Sequence, residues 1–235
     1  MIVERPSHAR GQADRGGLDS RFAFSFGPYY DPEWMGFGAL RVANEIRVPR
    51  GAGFGTHRHA NMEILSYVVS GALSHQDSRV GAAAPVGAGG LQWLGAGHGL
   101  EHSEANASAS EPLHLLQFWI QPARLNHVPA YARREAAPDD ARGPVRLASP
   151  DGADGSLAIR QDAHVDLLRL DAGTALERPL DPSRRYWLQV VRGELQAAQR
   201  PLRAGDALGL EGETGVLALR AGEGFTEALL LDLPL

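Results

Sequence analysis

The feature that most limits what this chain can fold into is the brevity of its apolar segments. Each one stops at Gly, Pro, Asn or Asp before a long amphipathic helix can develop. Short strands joined by tight turns need this punctuation, and the 28 glycines and 15 prolines supply it. Candidate strands are 22–26, 39–48, 62–69, 91–94 and 113–120, then 157–161, 165–170, 186–191, 207–210, 216–219 and 228–233. Only 131–137 suggests a turn or two of helix. The expected class is all-β, a sandwich or barrel.

A length of 235 residues allows one large β domain or two smaller ones. An internal likeness favours two. Leu65-Ser-Tyr-Val-Val-Ser-Gly71 and Trp187-Leu-Gln-Val-Val-Arg-Gly193 are each an apolar strand ending in a glycine bend, and each is followed by a returning strand and an Ala-Gly turn. Between 121 and 155 the alternation fades among prolines and charges, which reads as a crossover. The expected domains are two β-barrels, residues 1–135 and residues 136–235.

Composition removes several functions. Apolar residues at 43% and charged residues at 22% suit a chain that buries a core, not a disordered one. No apolar run nears the roughly 18 residues of a membrane-spanning helix, so no membrane role is expected. Zero cysteines exclude disulfides, thiolate ligands and a thiol nucleophile. All 23 cationic residues are Arg, yet the net charge is −5 and no basic block occurs, which argues against nucleic acid. The first ten residues meet charge and proline at once, so no signal peptide is read and a cytoplasmic protein is expected.

Histidine carries the chemistry. His57, His59, His75, His98 and His102 crowd into the first half, and His57-Arg-His59 places two imidazoles on one face of a strand. Glu63 shares that parity if the strand stays regular. His102-Ser-Glu104 is a second pair at the same spacing. Three imidazoles and a carboxylate suit a divalent first-row metal with room for a further ligand. His8, His114, His127 and His164 are scattered, and His75 and His98 read as neighbours of the cluster. Some of Phe54, Met62, Leu65, Trp93 and Phe118 are expected on pocket walls.

The segments Gly53-Phe-Gly-Thr-His-Arg-His-Ala-Asn-Met-Glu63 and Gly99-Leu-Glu-His-Ser-Glu-Ala-Asn106 resemble the two metal motifs of cupins. Phe24-Ser-Phe-Gly-Pro-Tyr-Tyr-Asp-Pro-Glu-Trp-Met-Gly-Phe-Gly-Ala-Leu-Arg-Val42 resembles the N-terminal signature of the pirin family. His75-Gln-Asp-Ser78, Leu116-Gln-Phe-Trp119 and Leu231-Asp-Leu-Pro234 extend the likeness over nearly the whole chain. That resemblance implies a bicupin of two jelly-roll barrels with one metal in the N-terminal barrel. Its ligands would be His57, His59, His102 and Glu104, and Glu63 would lie outside them. The metal expected first is iron, with nickel, copper, manganese, cobalt or zinc also accommodated.

The implied activity is that of bacterial quercetin 2,3-dioxygenases, with a flavonol and dioxygen as partners and Glu104 as base. The alternatives are a non-enzymatic metal or redox sensor that binds a partner protein, and another small-molecule cupin enzyme. Arg58 and His98 depart from the usual pattern at the pocket mouth. The second half carries no His-x-His, so it is expected to buttress the first, in a monomer.

Overall fold

A computed structural model describes residues 1–235. Strand makes up 58% of them and helix 3%, so the all-β expectation holds. Two compact units divide the chain. One comprises Gly11–Ala137 with Ile159–Gln161, and the other comprises Met1–Arg10, Pro138–Ala158 and Asp162–Leu235.

In the first unit a seven-stranded sheet runs in the order Ala130–Arg134, Leu91–Gly95, Glu63–Ser70, Leu113–Ile120, Leu40–Val48, Leu18–Phe22, Gly11–Arg15. A smaller sheet contains Gly53–His59, Leu100–Asn106, Ala72–Asp77 and Gly81–Ala82 in that order. The second unit repeats the plan. Its seven strands are Ile2–Arg5, Ala207–Glu211, Arg184–Arg192, Thr226–Pro234, His164–Leu170, Gly143–Ser149 and Leu157–Ala158. Its smaller sheet is Ala175–Leu180, Gly215–Ala221, Glu194–Ala197 and Arg200–Arg203. The duplication seen in sequence is thus a duplication of inner-strand order, with different edge strands in the two large sheets. Gly71 and Gly193 occupy matching bends with φ of 81° and 76°. A Cβ there would lie 2.7 Å from the Pro112 carbonyl and 2.5 Å from that of Phe225, so glycine is a steric requirement at both.

Three expectations change. The opening strand Ile2–Arg5 pairs with Ala207–Glu211, so residues 1–10 belong to the second unit and not to a 1–135 domain. The stretch 131–137 is not helical. Ala130–Arg134 is an edge strand beside Leu91–Gly95, because one isolated helical turn does not repay its nucleation cost while a free sheet edge offers ladder hydrogen bonds. The strand read at 22–26 ends at Phe22, since the chain turns back between Phe26 and Tyr29.

Each unit has its own core. Ile46, Val48, Val68, Leu73, Val86, Leu113 and Leu115 pack together in the first, and the second gathers Leu168, Tyr186, Leu188, Leu208, Leu217 and Leu230 among others. Each such side chain contributes about 1.5–3 kcal/mol on burial. In the first unit the inward faces then turn polar. Following the alternation from Ile46, Val68 and Leu115 gives Asn44, Ser66 and Gln117, all buried. This change of character inside one barrel creates the site.

Candidate metal centre

Antiparallel pairing of Gly53–His59 with Leu100–Asn106 sets His57 directly opposite His102 and His59 opposite Leu100. The register slips between His102 and Glu104, where an extra residue on the first strand brings Phe54 opposite Glu104. Such a bulge re-aims side chains without breaking the sheet. His57, His59 and His102 consequently stand ring to ring, with centroids 4.5–4.9 Å apart.

One donor atom from each of these three lies within 4.8 Å of the others. His57 Nδ1–H donates to the Gly55 carbonyl at 2.7 Å, which leaves Nε2 with a free lone pair. His57 Nε2 and His102 Nε2 are 3.1 Å apart, the span of two metal–nitrogen bonds of roughly 2.0–2.1 Å meeting at about a right angle. Burial, followed by the charge of His57, lowers the His59 pKa to about 4. Burial, followed by His57, His59 and His75, lowers that of His102 to about 3. Both rings are therefore neutral near pH 7, the state that ligates. His102 Nδ1 is buried without a hydrogen-bond partner. This donor set fits a divalent transition ion.

Glu104 falls in a second, overlapping group with His75 and His102. Gln117 Nε2 donates to its Oε2 at 3.1 Å, and Gln92 Nε2 donates to its Oε1. Burial raises its pKa to about 7, partly offset by hydrogen bonds from Gln117, Gln92 and Ser66. A carboxyl poised there can give or take a proton near neutrality. His75 lies flat against Tyr131, centroids 4.3 Å apart, and its Nε2 is 3.0 Å from Asp77 Oδ2.

Glu63 is elsewhere. It is buried, and its Oε2 accepts from Trp93 Nε1 at 3.0 Å and the Arg160 amide at 2.8 Å. His98 is exposed, and its backbone N–H donates to the His127 carbonyl. Arg58, exposed, points its guanidinium toward Gly99.

A cavity of about 400 Å³ opens onto His57, His59 and Glu104. Its apolar walls include Leu18, Phe22, Phe26, Ile46, Phe54 and Trp119. Of the five wall candidates read from sequence only Phe54 lines it. Leu65, Trp93 and Phe118 are buried away from this cavity, and Met62 packs against a separate cluster of Ile64, Leu94, Ala96 and Leu100. Sequence reasoning missed Gln92, Gln117, Tyr131 and Trp119. Their signal was a polar or amphipathic residue inside an apolar strand, which marks a face only once register is known.

In the second barrel the strand corresponding to Gly53–His59 carries Arg178, whose Nη2 lies 3.5 Å from Asp232 and 3.7 Å from Asp166. An ion-pair network stands where the first barrel gathers histidines.

Residues 4–120 match the pirin family model, and residues 146–233 match that of the quercetinase C-terminal cupin domain. Quercetin 2,3-dioxygenase of Escherichia coli K12 is 41% identical, over all of this chain and 99% of the enzyme. A pirin-like protein of Caulobacter vibrioides is 36% identical, over 99% of each chain. The crystal structure of the bacterial pirin YhhW from Escherichia coli in complex with nickel(II) superposes with a TM-score of 0.94 at 41% identity, covering all of this chain and 99% of that one. Since both barrels are matched and the likeness runs from end to end, the chain belongs to the pirin family.

Proposed function

We propose that this protein is a metal-dependent dioxygenase that cleaves a flavonol such as quercetin in its N-terminal barrel. The observation that carries the reading is the convergence of three imidazoles, His57, His59 and His102, with the first two opening onto an aromatic-walled cavity of about 400 Å³. His57, His59, His102 and Glu104 are the proposed ligands of one divalent ion. The nickel(II) complex of the related Escherichia coli pirin and the quercetin 2,3-dioxygenase relative at 41% identity support this assignment.

When bound, the ion acts as a Lewis acid that lowers the pKa of a coordinated hydroxyl. The protein does the rest. Phe22, Phe26 and Phe54 enclose a flat aromatic body and keep water from it. The Glu104 carboxylate takes the proton of the flavonol 3-hydroxyl, which leaves an electron-rich anion open to dioxygen. Gln92 and Gln117 hold that carboxylate in place with one amide on each oxygen. Trp119 packs edge-on against His59, centroids 4.7 Å apart, and its Nε1–H donates to Gln117 Oε1 at 2.9 Å, so one side chain braces both a ligand and the amide behind the base. The balance is one flavonol and one dioxygen to one ring-opened ester and one carbon monoxide.

Metal-loaded protein incubated with quercetin in air tests the proposal. Loss of the flavonol absorbance should proceed with one equivalent each of dioxygen consumed and carbon monoxide released. Protein with full metal occupancy that leaves quercetin untouched would overturn it.

A further inference from the structure

Among the polar side chains facing into the first barrel, Asn44 stands apart. It sits on Leu40–Val48, opposite Gln117 on one side and Phe22 on the other. The two inward-facing glutamines of this sheet are hydrogen-bonded. Gln117 donates to Glu104 and Ser66 and accepts from Trp119, while Gln92 donates to Glu104 and accepts from the Tyr131 hydroxyl. Asn44 is 2% exposed, yet neither Nδ2 nor Oδ1 has a hydrogen-bond partner. It also lines the cavity shared by His57, His59 and Glu104.

A buried amide with both ends unpaired is costly, and an apolar residue of similar shape would avoid that cost. No side chain of the cavity wall pairs with it, neither the apolar Leu18, Phe22, Ile46 and Phe54 nor the polar Ser20 and Gln117. A group that satisfies it approaches from the cavity, and because both amide atoms are shielded in the free protein the side chain has to shift slightly to meet it. One donor and one acceptor side by side match a carbonyl and a hydroxyl on adjoining positions of a rigid ring.

We propose that Asn44 is a specificity-determining residue that reads the ring oxygens of the flavonol. Nδ2–H donates to a carbonyl oxygen of the substrate, and Oδ1 accepts from a neighbouring hydroxyl. The inference rests on the reading of this cavity as a flavonol pocket and adds to it the group that separates an oxygenated ring system from an apolar one. A site built to pair polar groups rejects the analogue that lacks them, because its own amide is then left unsatisfied.

The test measures binding without turnover. Metal-loaded parent, Asn44→Leu and Asn44→Ala proteins are titrated anaerobically with quercetin and with 2-phenylnaphthalene, an apolar molecule of similar outline, and metal content is read alongside. Both variants should keep their metal and bind quercetin on the order of tenfold more weakly, the loss expected for one or two hydrogen bonds. Neither should lose affinity for 2-phenylnaphthalene. Unchanged quercetin affinity in either variant overturns the assignment. So does an equal loss for both probes, which would make Asn44 a shaping residue only. Parent holoprotein that takes up no quercetin overturns the flavonol reading itself, and this inference with it.

Discussion

Two buried glutamates within the first barrel show how environment divides similar residues. Glu104 shares a group with two imidazoles and faces the cavity, whereas Glu63 is tied to Trp93 and the Arg160 backbone. Glu104→Gln keeps the shape but removes the charge and the proton acceptor. Turnover per bound metal should fall by about 10²–10⁴. Glu63→Gln should retain the metal and cost no more than about 10–100-fold in affinity or activity. Metal analysis beside steady-state rates checks both, and the reverse pattern would exchange the two roles. Glu63 also makes a prediction about pH. Burial raises its pKa above the ordinary 4.5, opposed by hydrogen bonds from Arg160 and Trp93 and by the Arg160 charge. The folded state then holds this proton more tightly than the unfolded chain does. The stability it contributes is full below the unfolded value and is lost as pH rises through the folded one. Glu63→Gln abolishes that loss, so its stability relative to the parent should increase as pH rises above the ordinary carboxylate range. Urea melts of the metal-free proteins measure this, and a difference that shrinks with pH would contradict the sign. At this scale the clustering of His57, His59 and His102, with Glu104 beside His102, was legible because i, i+2 pairs of ligand types announce themselves along one strand. Gln92, Gln117 and Asn44 were not, because each lies alone on its own strand and only the register gathers them.

The strand Gly53–His59 positions the histidines only if it can lie close against Leu100–Asn106. A Cβ on Gly53 would fall 2.4 Å from the Glu104 carbonyl and 2.6 Å from Ala105, both on the partner strand, whereas at Gly55 it would meet nothing within 4 Å. Gly53→Ala should therefore cost about 1–3 kcal/mol through overpacking and weaken metal binding as the strands part. Gly55→Ala should do neither, since the carbonyl that orients His57 is retained. Thermal melting and metal titration of the pair check this, and equal behaviour would show that strand approach does not limit the site. The apolar strands around 40–48, 63–70 and 113–120 were readable because both faces are buried and the runs are dense. Ala175–Leu180, in contrast, alternates exposed and half-buried residues and includes a proline, so nothing in its composition marks a strand. The partner of Ile2–Arg5 lies some two hundred residues away, and no local pattern encodes that choice.

At the level of the molecule, each barrel is closed by its own apolar core, so the fold does not depend on an ion. Chelation should abolish activity and leave the far-ultraviolet circular dichroism of a β protein in place; global unfolding would make the metal structural. The two barrels share the order of their inner strands, but one gathers imidazoles and the other balances Arg178 against Asp166 and Asp232. The likeness between halves was visible in sequence at their glycine bends, while the ion-pair network was not, since its members are dispersed over several strands. Metal titration into the chelated protein, with bound metal and quercetin turnover read on the same samples, tests the central claim most directly. Turnover should rise linearly with metal and break at one equivalent per chain. Activity that persists without metal, or that continues to climb to two equivalents, would contradict a single catalytic centre in the N-terminal barrel.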